Sequence, residues 1–580
     1  MTLTKSQSKN SISLYVTKSV RENGKKFSKV IEKLGTVAEL EAKGIQDPIR
    51  WAEEYVRELT RKEKEGKRKI IVKYSPDKII PKGERRVYSA GYLFLQKIYH
   101  ELRIDKLCRK IENKHKFDFD LNMVMSRLVY GRILFPASKL ATYELSEKFI
   151  EPLSFEIQHI YRGLEVIAKE MDFIQAELYK SSTKVIKRKT GVLYYDCTNY
   201  FFEIEQEEGL KQYAKSKENR PNPVVQMGLF MDGDGLPLAF CIDDGNTNEQ
   251  ITLKPLEKKI LSDFELSKFV VCTDAGLSSL ANRKYNDIGG RAFITTQSVK
   301  KLKKHLKDWA LGQMGWRLAG VHVEFDLSML DDPEYLKQFA KLKTDPKTAI
   351  FYKERWIKED GLEQKLIVTY SIKYRDYQRS IRTGQVERAE KLIATNPTKL
   401  KKVNQNDYKR FIAQKSVTDD GEVAEIKLYS IDSSIIKQEE IFDGFYAVCT
   451  NLDEEPATII KINHRRWEIE ECFRIMKSEF KARPVYLKRN DRIKAHFTTC
   501  FISLLIYRIL EKRLEEKFTC PQIVQELRDM NVLEVFGEGY VPAYTRTDFT
   551  DALHDVFGFR TDYHITPYGN MKKIFKDSKL

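Results

Sequence analysis

Cysteine is scarce and unpatterned in this sequence. There are eight in 580 residues, with no CxxC pair and no His/Cys cluster at zinc spacing, which excludes a structural zinc module. Several of the eight (Cys241, Cys272, Cys449, Cys500) lie inside apolar segments, the placement expected of reduced thiols in a cytosolic protein. The first ten residues, MTLTKSQSKN, lack the apolar core of a secretion signal. The longest apolar run, 497–507, is too short to span a bilayer. The string Asp232-Gly233-Asp234-Gly235 lacks the remaining ligands of a calcium loop, and between the apolar runs 224–231 and 236–242 it reads as a hairpin turn.

What the chain has is length and positive charge. A single core does not grow to 580 residues, so two to four domains are expected. Lysine and arginine number 101 against 84 acids, a formal net charge of +17, which favours a polyanionic partner, nucleic acid before membrane.

The chain is organised around residues 462–481, INHRRWEIEECFRIMKSEFK, which read as one helix. On a 3.6-residue period Ile469, Phe473, Met476 and Phe480 form a narrow apolar arc. Arg466, Glu470, Arg474 and Lys477 form the adjacent arc. One side can therefore dock on a core while the next presents a carboxylate among three cations. Because the two arcs are neighbours, Glu470 is expected at a buried edge. A surface helix laced with i,i+4 ion pairs is the alternative.

Upstream, Ile12, Leu14 and Val16 alternate, Asn23-Gly24 is a hairpin turn signal and 27–33 returns. A charged helix follows Pro48, and 61–69, RKEKEGKRK, reads as a solvated linker. Residues 89–188 are mostly helical by period. The helix carrying Met123, Leu128 and Ile133 stops at Pro136, and Ser138 caps the next. That pair fits a helix-turn-helix DNA reader or ordinary bundle packing.

The run VLYYDCTNYFFE, starting at Val192, is apolar and aromatic on both sides of Asp196, as for a central strand. A carboxylate there is costly unless paired or metal-bound. A hairpin follows, then a helix over 250–261, a short strand 269–272 with Asp274 just past its end, a helix over 277–288 and a strand over 292–295. This order is what an RNase H-like nuclease core requires. Asp196 and Asp274 would meet on adjacent strands and a helical glutamate would complete the cluster. Three carboxylates can hold two Mg²⁺ ions, with Mn²⁺ as a substitute.

YYDCTNYFF, VVCTDAGLSS and RRWEIEECFRIMKSEFKARPVY resemble the three motif regions of DDE transposases from bacterial insertion sequences. The last resembles the subgroup marked by a Tyr-Arg-Glu-Lys helix, in which Arg precedes Glu by four residues and Lys follows it by seven. Arg466, Glu470 and Lys477 match. The tyrosine position is Asn463, so that element is absent. DGNTNEQITLKPL is similar to the same group. The likeness covers about 190–297 and 440–510. It implies Asp196, Asp274 and Glu470 as catalytic and metal-binding residues, and Arg466, Lys477 and, more weakly, Arg474 as DNA contacts. The implied activity is binding of terminal inverted repeats, metal-dependent cleavage, and joining of 3′-hydroxyl ends to target DNA. Pairing two ends implies a homodimer on DNA, in the cytoplasm of a bacterium and nucleoid-associated when bound. A nuclease that cuts without joining and a catalytically silent DNA-binding repressor are the alternatives.

Asp196 and Asp274 are 78 residues apart (274 − 196 = 78), whereas Asp274 and Glu470 are 196 apart (470 − 274 = 196), so a further domain must interrupt the core. Strand-like runs at 321–327, 348–352, 366–374, 425–431 and 444–449, with a basic helical part between Arg375 and Lys402, match the β-rich insertion that the resemblance implies. Similar transposases stack an aromatic of that domain on a flipped base. Trp309, Trp316 and Trp356 are weighed for that role against plain packing, and packing is favoured for each. The run KKLKKHLK, 300–307, is either a phosphate-contacting surface or a solvated face. An amphipathic helix over 493–517 packs on the core; the tail 540–580 shows no clear period.

The expected fold is α/β: an RNase H-like catalytic core interrupted by a β-rich insertion, with a helical N-terminal region. The divisions are 1–70, a hairpin and helix accessory module; 71–188, helical with a DNA-reading option; 189–298, first part of the core; 299–440, the insertion; 441–515, second part of the core; and 516–580, the C-terminal region.

Overall fold

The computed structural model describes residues 1–8, 11–22, 25–67, 70–72, 75–395, 406–417 and 426–580. The chain divides into two compact units, Met1–Arg85 with Val535–Glu538, and Arg86–Glu534 with Gly539–Leu580.

In the first unit β1 (Thr2–Gln7), β2 (Ile12–Glu22) and β3 (Lys25–Thr36) form an antiparallel sheet in that order. The turn signal Asn23-Gly24 lies outside the described residues. Thr36 caps α1 (Val37–Ala42) in a reciprocal box with Glu39. The next helix, α2 (Pro48–Lys67), runs through most of the segment read as a linker. Its charged residues are good helix formers, so solvation there does not mean loss of helix. Leu14, Leu40 and Ala52 make the small core.

The second unit is built on a ten-stranded mixed sheet. Its strands are β4 (Val192–Phe201), β5 (Val224–Asp232), β6 (Pro237–Asp244), β7 (Val270–Thr273), β8 (Ala292–Gln297), β9 (Trp316–Leu318), β10 (Val321–Phe325), β11 (Phe351–Glu359), β12 (Leu362–Tyr370) and β13 (Phe445–Thr450). The spatial order is β10-β9-β11-β12-β13-β8-β7-β4-β5-β6. β4 pairs parallel with β7, and β7 with β8; the other neighbouring pairs for which a register is given are antiparallel. A sheet covered on both faces needs strands apolar on both faces, and every residue of β5 is buried.

The helices placed on and beside this sheet are α3 (Leu121–Leu134), α4 (Lys139–Ser146), α5 (Glu249–Asp263), α6 (Ile372–Thr395), α7 (Pro456–His464), α8 (Trp467–Arg474) and α9 (Asn490–Arg513). The expected helix over 277–288 is confined to Leu280–Tyr285, started by the Ser279 cap. Ser138 caps α4 by accepting from the Ala141 amide at 3.2 Å. The predicted single helix over 462–481 is broken. α7 ends at His464, Arg465 and Arg466 turn, α8 follows, and a π-helical turn covers Ile475–Glu479. The predicted amphipathic helix over 493–517 is instead α9, buried on every side from Phe497 to Leu510. It is long and apolar enough to cross a membrane, but 94% of its most apolar stretch is inside the protein. Thr499 and Ser503 satisfy their hydroxyls on carbonyls four residues back, Ala495 (2.9 Å) and Thr499 (2.8 Å).

The aperiodic tail folds into helices Asp548–Phe557 and Tyr568–Asp577, whose Phe549, Leu553, Phe557, Met571 and Ile574 join the main core. β9 to β12 carry a second core around Trp316, Phe351, Leu366 and Tyr370. All eight cysteines are free thiols and seven are buried.

Candidate active site

Side chains alternate along β4. Leu193, Tyr195 and Cys197 face the core under α5. Tyr194, Asp196, Thr198 and Tyr200 face the other way, where Tyr194 donates to the Ile462 carbonyl (2.9 Å) and Tyr200 lies against the Met476 sulfur (3.8 Å). α8 is anchored on that face by Ile469, Cys472, Phe473 and, in the following turn, Met476 and Phe480, all buried.

The parallel register of β4 and β7 pairs Val192 with Val270, Leu193 with Val271 and Tyr194 with Cys272. That offset of 78 carried two residues on sets Asp196 level with Asp274. Both are half-buried. The Asp274 carboxylate accepts from the Leu277 amide (3.0 Å), and Asp196 from the Cys197 amide (2.8 Å). Burial pushes the Asp196 carboxyl up to about 6; the neighbouring Asp274 charge pushes the same way, while Lys217 and Arg466 oppose.

Lys217 comes from the connection between β4 and β5. Its ammonium donates to the Cys197 carbonyl and pairs with Glu249 (3.2 Å). Burial works against its charge, but Asp196 and Glu249 hold it above its ordinary range. Lys477 donates to the Thr198 hydroxyl (2.7 Å) and to Glu218 (3.1 Å). Burial, with the Lys217 charge, lowers its ammonium to about 8. Glu218 also pairs with Arg483.

Arg466 has a buried Nε with no hydrogen-bond partner among the described residues, and its charge is felt at Asp196. It also lines a cleft of about 620 Å³ shared with Glu470, Trp467, Tyr446, Tyr374 and Tyr377. Glu470 is exposed there, not at a buried edge. The buried carboxylate of α8 is Glu468, bound by Arg465 (3.0 Å) and Arg508 (3.3 Å). The oxygens of Asp196, Asp274 and Glu470 do not all lie within 4.8 Å of one another. Among the described residues the group that does is Asp551, His554 and Asp562. There Arg560 and Arg546 pair with both aspartates, the Thr561 amide donates to the histidine Nε2, and the histidine Nδ1 lies 3.6 Å from Asp562. Arg474 is engaged along its own helix by Glu471 (2.7 Å) and Glu479 (3.6 Å).

Asn463 donates to the Tyr446 hydroxyl (3.0 Å), holding that ring at the cleft wall. Trp316 is fully buried. Trp309 is half-buried, with the Arg355 guanidinium 5.3 Å over its ring. Trp356 is 43% exposed beside Lys365. In the basic run, Lys303 pairs with Glu359 (3.0 Å) and Lys300 lies over Phe442.

Residues 201–506, more than half of the chain, match the family described as the transposase DDE domain. The chain belongs to this transposase family. The matched stretch contains Asp274 and Glu470 and begins five residues after Asp196. Among solved structures, the transposase is similar to a piggyBac transposase in a synaptic complex with hairpin DNA, at 9% identity, over 76% of this chain and 78% of that one, with a TM-score of 0.34. No curated protein matches its sequence.

Lys217, Trp467 and Tyr446 were not singled out from the sequence of this transposase. Trp467 carried a signal: it is an aromatic next to Arg466 and outside the apolar arc of its helix. Lys217 and Tyr446 carried none, since their places depend on a loop path and on strand pairing.

Proposed function

We propose that this transposase binds the terminal inverted repeats of an insertion sequence, cleaves DNA by metal-dependent phosphodiester hydrolysis, and joins the 3′-hydroxyl ends to target DNA. Asp196, Asp274 and Glu470 are the catalytic and metal-binding residues of this reading. The observation that supports it is the parallel register of β4 and β7, which, carried two residues past its last pair, sets Asp196 level with Asp274 just beyond the end of β7. Beside them lies Arg466, whose charge reaches Asp196 and which lines a cleft with Glu470. β6-β5-β4-β7-β8 is read as an RNase H-like core, and β9 to β12 with α6 as the β-rich insertion before β13 and α8. The domain divisions given from the sequence stand as part of this proposal.

The donor set suits a hard divalent cation: two neighbouring carboxylates, with the Asp274 charge making that of Asp196 more costly, and a third on the adjoining helix. Two Mg²⁺ ions, or Mn²⁺, would activate the attacking oxygen and stabilise the leaving one. The chain's own groups do the rest. Arg466 offers an unpartnered guanidinium nitrogen to a phosphate, and Lys477, braced by Thr198, sets a cation two turns along from Glu470. In hydrolysis the water oxygen bonds to phosphorus and the 3′-oxygen leaves as a hydroxyl. In joining, that hydroxyl attacks a target phosphodiester and displaces its 3′-oxygen.

Pairing two ends calls for a homodimer on DNA, and the setting is the cytoplasm of a bacterium. The test supplies Mg²⁺, terminal-repeat DNA and a target plasmid. Joined products are expected. Cut products without joining would leave a nuclease, and binding alone would leave a repressor.

A further inference from the structure

A second cavity, of about 440 Å³, lies where the start of α4 meets the chain leaving the π-helical turn. Arg132, Lys139, Lys481, Arg483 and His496 line it, and none of the described residues lining it is acidic. Lys139 is 6% exposed, yet its ammonium has no ion pair or hydrogen bond among the described residues. Among the described residues Arg132, 4% exposed, donates only to the carbonyls of Phe480 (3.1 Å), Lys481 (3.5 Å) and Ala137 (3.3 Å), and its Nε has no partner. His496 spends Nε2 on the Ala482 carbonyl (3.1 Å) and leaves a buried Nδ1 without a partner among the described residues.

Buried charges in proteins are paired, and buried polar atoms are hydrogen-bonded. Three cationic or protonatable side chains gathered without a carboxylate break both rules at once. The strain shows in Lys139, whose ammonium burial drives down to about 7, with Arg132 pushing the same way. A group brought from outside, negative and rich in acceptors, would satisfy all of them.

The cavity is tied to the candidate active site. Arg483 on its wall pairs with Glu218; Glu218 holds Lys477; Lys477 is bonded to Thr198, two residues along β4 from Asp196. This run of contacts links the cavity wall to the strand that carries Asp196.

We propose that the cavity lined by Lys139, Arg132 and His496 is a phosphate site that takes a backbone phosphate of the DNA strand engaged at the carboxylates. The DNA assignment rests on the function proposed above; the phosphate chemistry does not.

The test uses the full chain and Lys139→Met, which keeps the stem and removes the charge, with Lys481→Gln on the exposed rim as a second variant whose folding is not at stake. Affinity for a fluorescein-labelled duplex is measured across a chloride series in EDTA, so that no strand is cut. Thermal midpoints are recorded with and without inorganic phosphate at matched ionic strength. Lys139→Met is expected to unfold no lower than the parent in chloride, because it loses an unpaired buried charge, and to lose the rise in midpoint that phosphate gives the parent. Its duplex affinity should fall on the order of tenfold, with the log-log salt slope reduced by about one. Lys481→Gln should lower the slope as well.

A parent slope in both variants overturns the proposal. So does a phosphate-induced rise that persists in Lys139→Met. Loss of that rise with an unchanged duplex slope would assign the cavity to free phosphate and overturn the DNA assignment. A parent that binds duplex but never cuts it with Mg²⁺ counts against the proposed function and leaves these readouts intact.

Discussion

Two glutamates two residues apart on α8 should separate stability from chemistry. Glu468 is buried, with one oxygen on the Arg465 guanidinium (3.0 Å) and the other on Arg508 (3.3 Å). Arg508 in turn holds the Gly235 carbonyl (3.0 Å) at the β5–β6 turn. Gly235 sits at φ +80°, and an added Cβ would lie 2.1 Å from a Glu468 oxygen, so the turn closes directly on this ion pair. Glu468→Gln keeps the volume and removes the charge. Breaking a fully buried pair costs about 3–5 kcal/mol. Here Arg508 keeps Glu511, and Arg465 is 38% exposed and can be solvated, so about 2–3 kcal/mol is expected. Glu470→Gln alters an exposed group and should move stability by no more than about 0.5 kcal/mol. The same change should lower Mg²⁺-dependent cleavage by more than about a hundredfold, since even an outer partner of a metal ligand is worth 10–100-fold. Urea unfolding midpoints and single-turnover cleavage read the two effects. Midpoints are the proper comparison because a chain of two units need not unfold in one step. If Glu470→Gln destabilises as much as Glu468→Gln while cleavage persists, the roles assigned to the two carboxylates are wrong.

Four further outcomes are expected. Glu257 is fully buried, and burial pushes its carboxyl up to about 7 from an ordinary 4.5, against the pull of Asn286 and Arg291. The folded state then binds the extra proton between those values, so stability declines as pH rises through that window. Glu257→Gln should be near neutral at pH 4 and stabilising by up to about 3 kcal/mol at pH 8, read by urea melts at both. Lys477→Ala should weaken binding to terminal-repeat DNA on the order of tenfold, with near-parental stability; a variant that binds and cleaves ends like the parent would make Lys477 a brace for Thr198 and Glu218 only. Trp316→Ala should cost about 3–5 kcal/mol as a core deletion. With 2-aminopurine at the terminal bases, Trp467→Ala and Trp356→Ala test stacking, and an unchanged signal in both with cleavage intact rules these two rings out.

Periodicity predicted the apolar arc of α8 because burial of Ile469, Phe473, Met476 and Phe480 is set by local geometry. It misplaced the charged arc. Glu468 is buried by Arg508, forty residues away in sequence, and no local period reveals such a partner, while Glu470 opens onto a cleft built partly from β12 and α6. Strand existence was legible from the apolar runs around Asp196 and Asp274. Their meeting on adjacent strands was expected from the order of elements; the residue-by-residue register was not legible, since it is fixed only when β4 and β7 pair. Lys139 lies in a helix start that the Ser138 cap announced, yet its meeting with Lys481 and Arg483 joins segments more than 300 residues apart. The break at Arg465 and Arg466 was hidden because both keep helical backbone angles, and only the hydrogen-bond pattern changes.

The central claim is that Asp196, Asp274 and Glu470 share metal. The most direct measurement is an anomalous difference map from crystals of the full chain with terminal-repeat DNA and Mn²⁺. The expected result is peaks held by the Asp196 and Asp274 carboxylates, with Glu470 completing the set. Peaks elsewhere, with those three carboxylates free of metal in crystals that still cut their DNA, would contradict it.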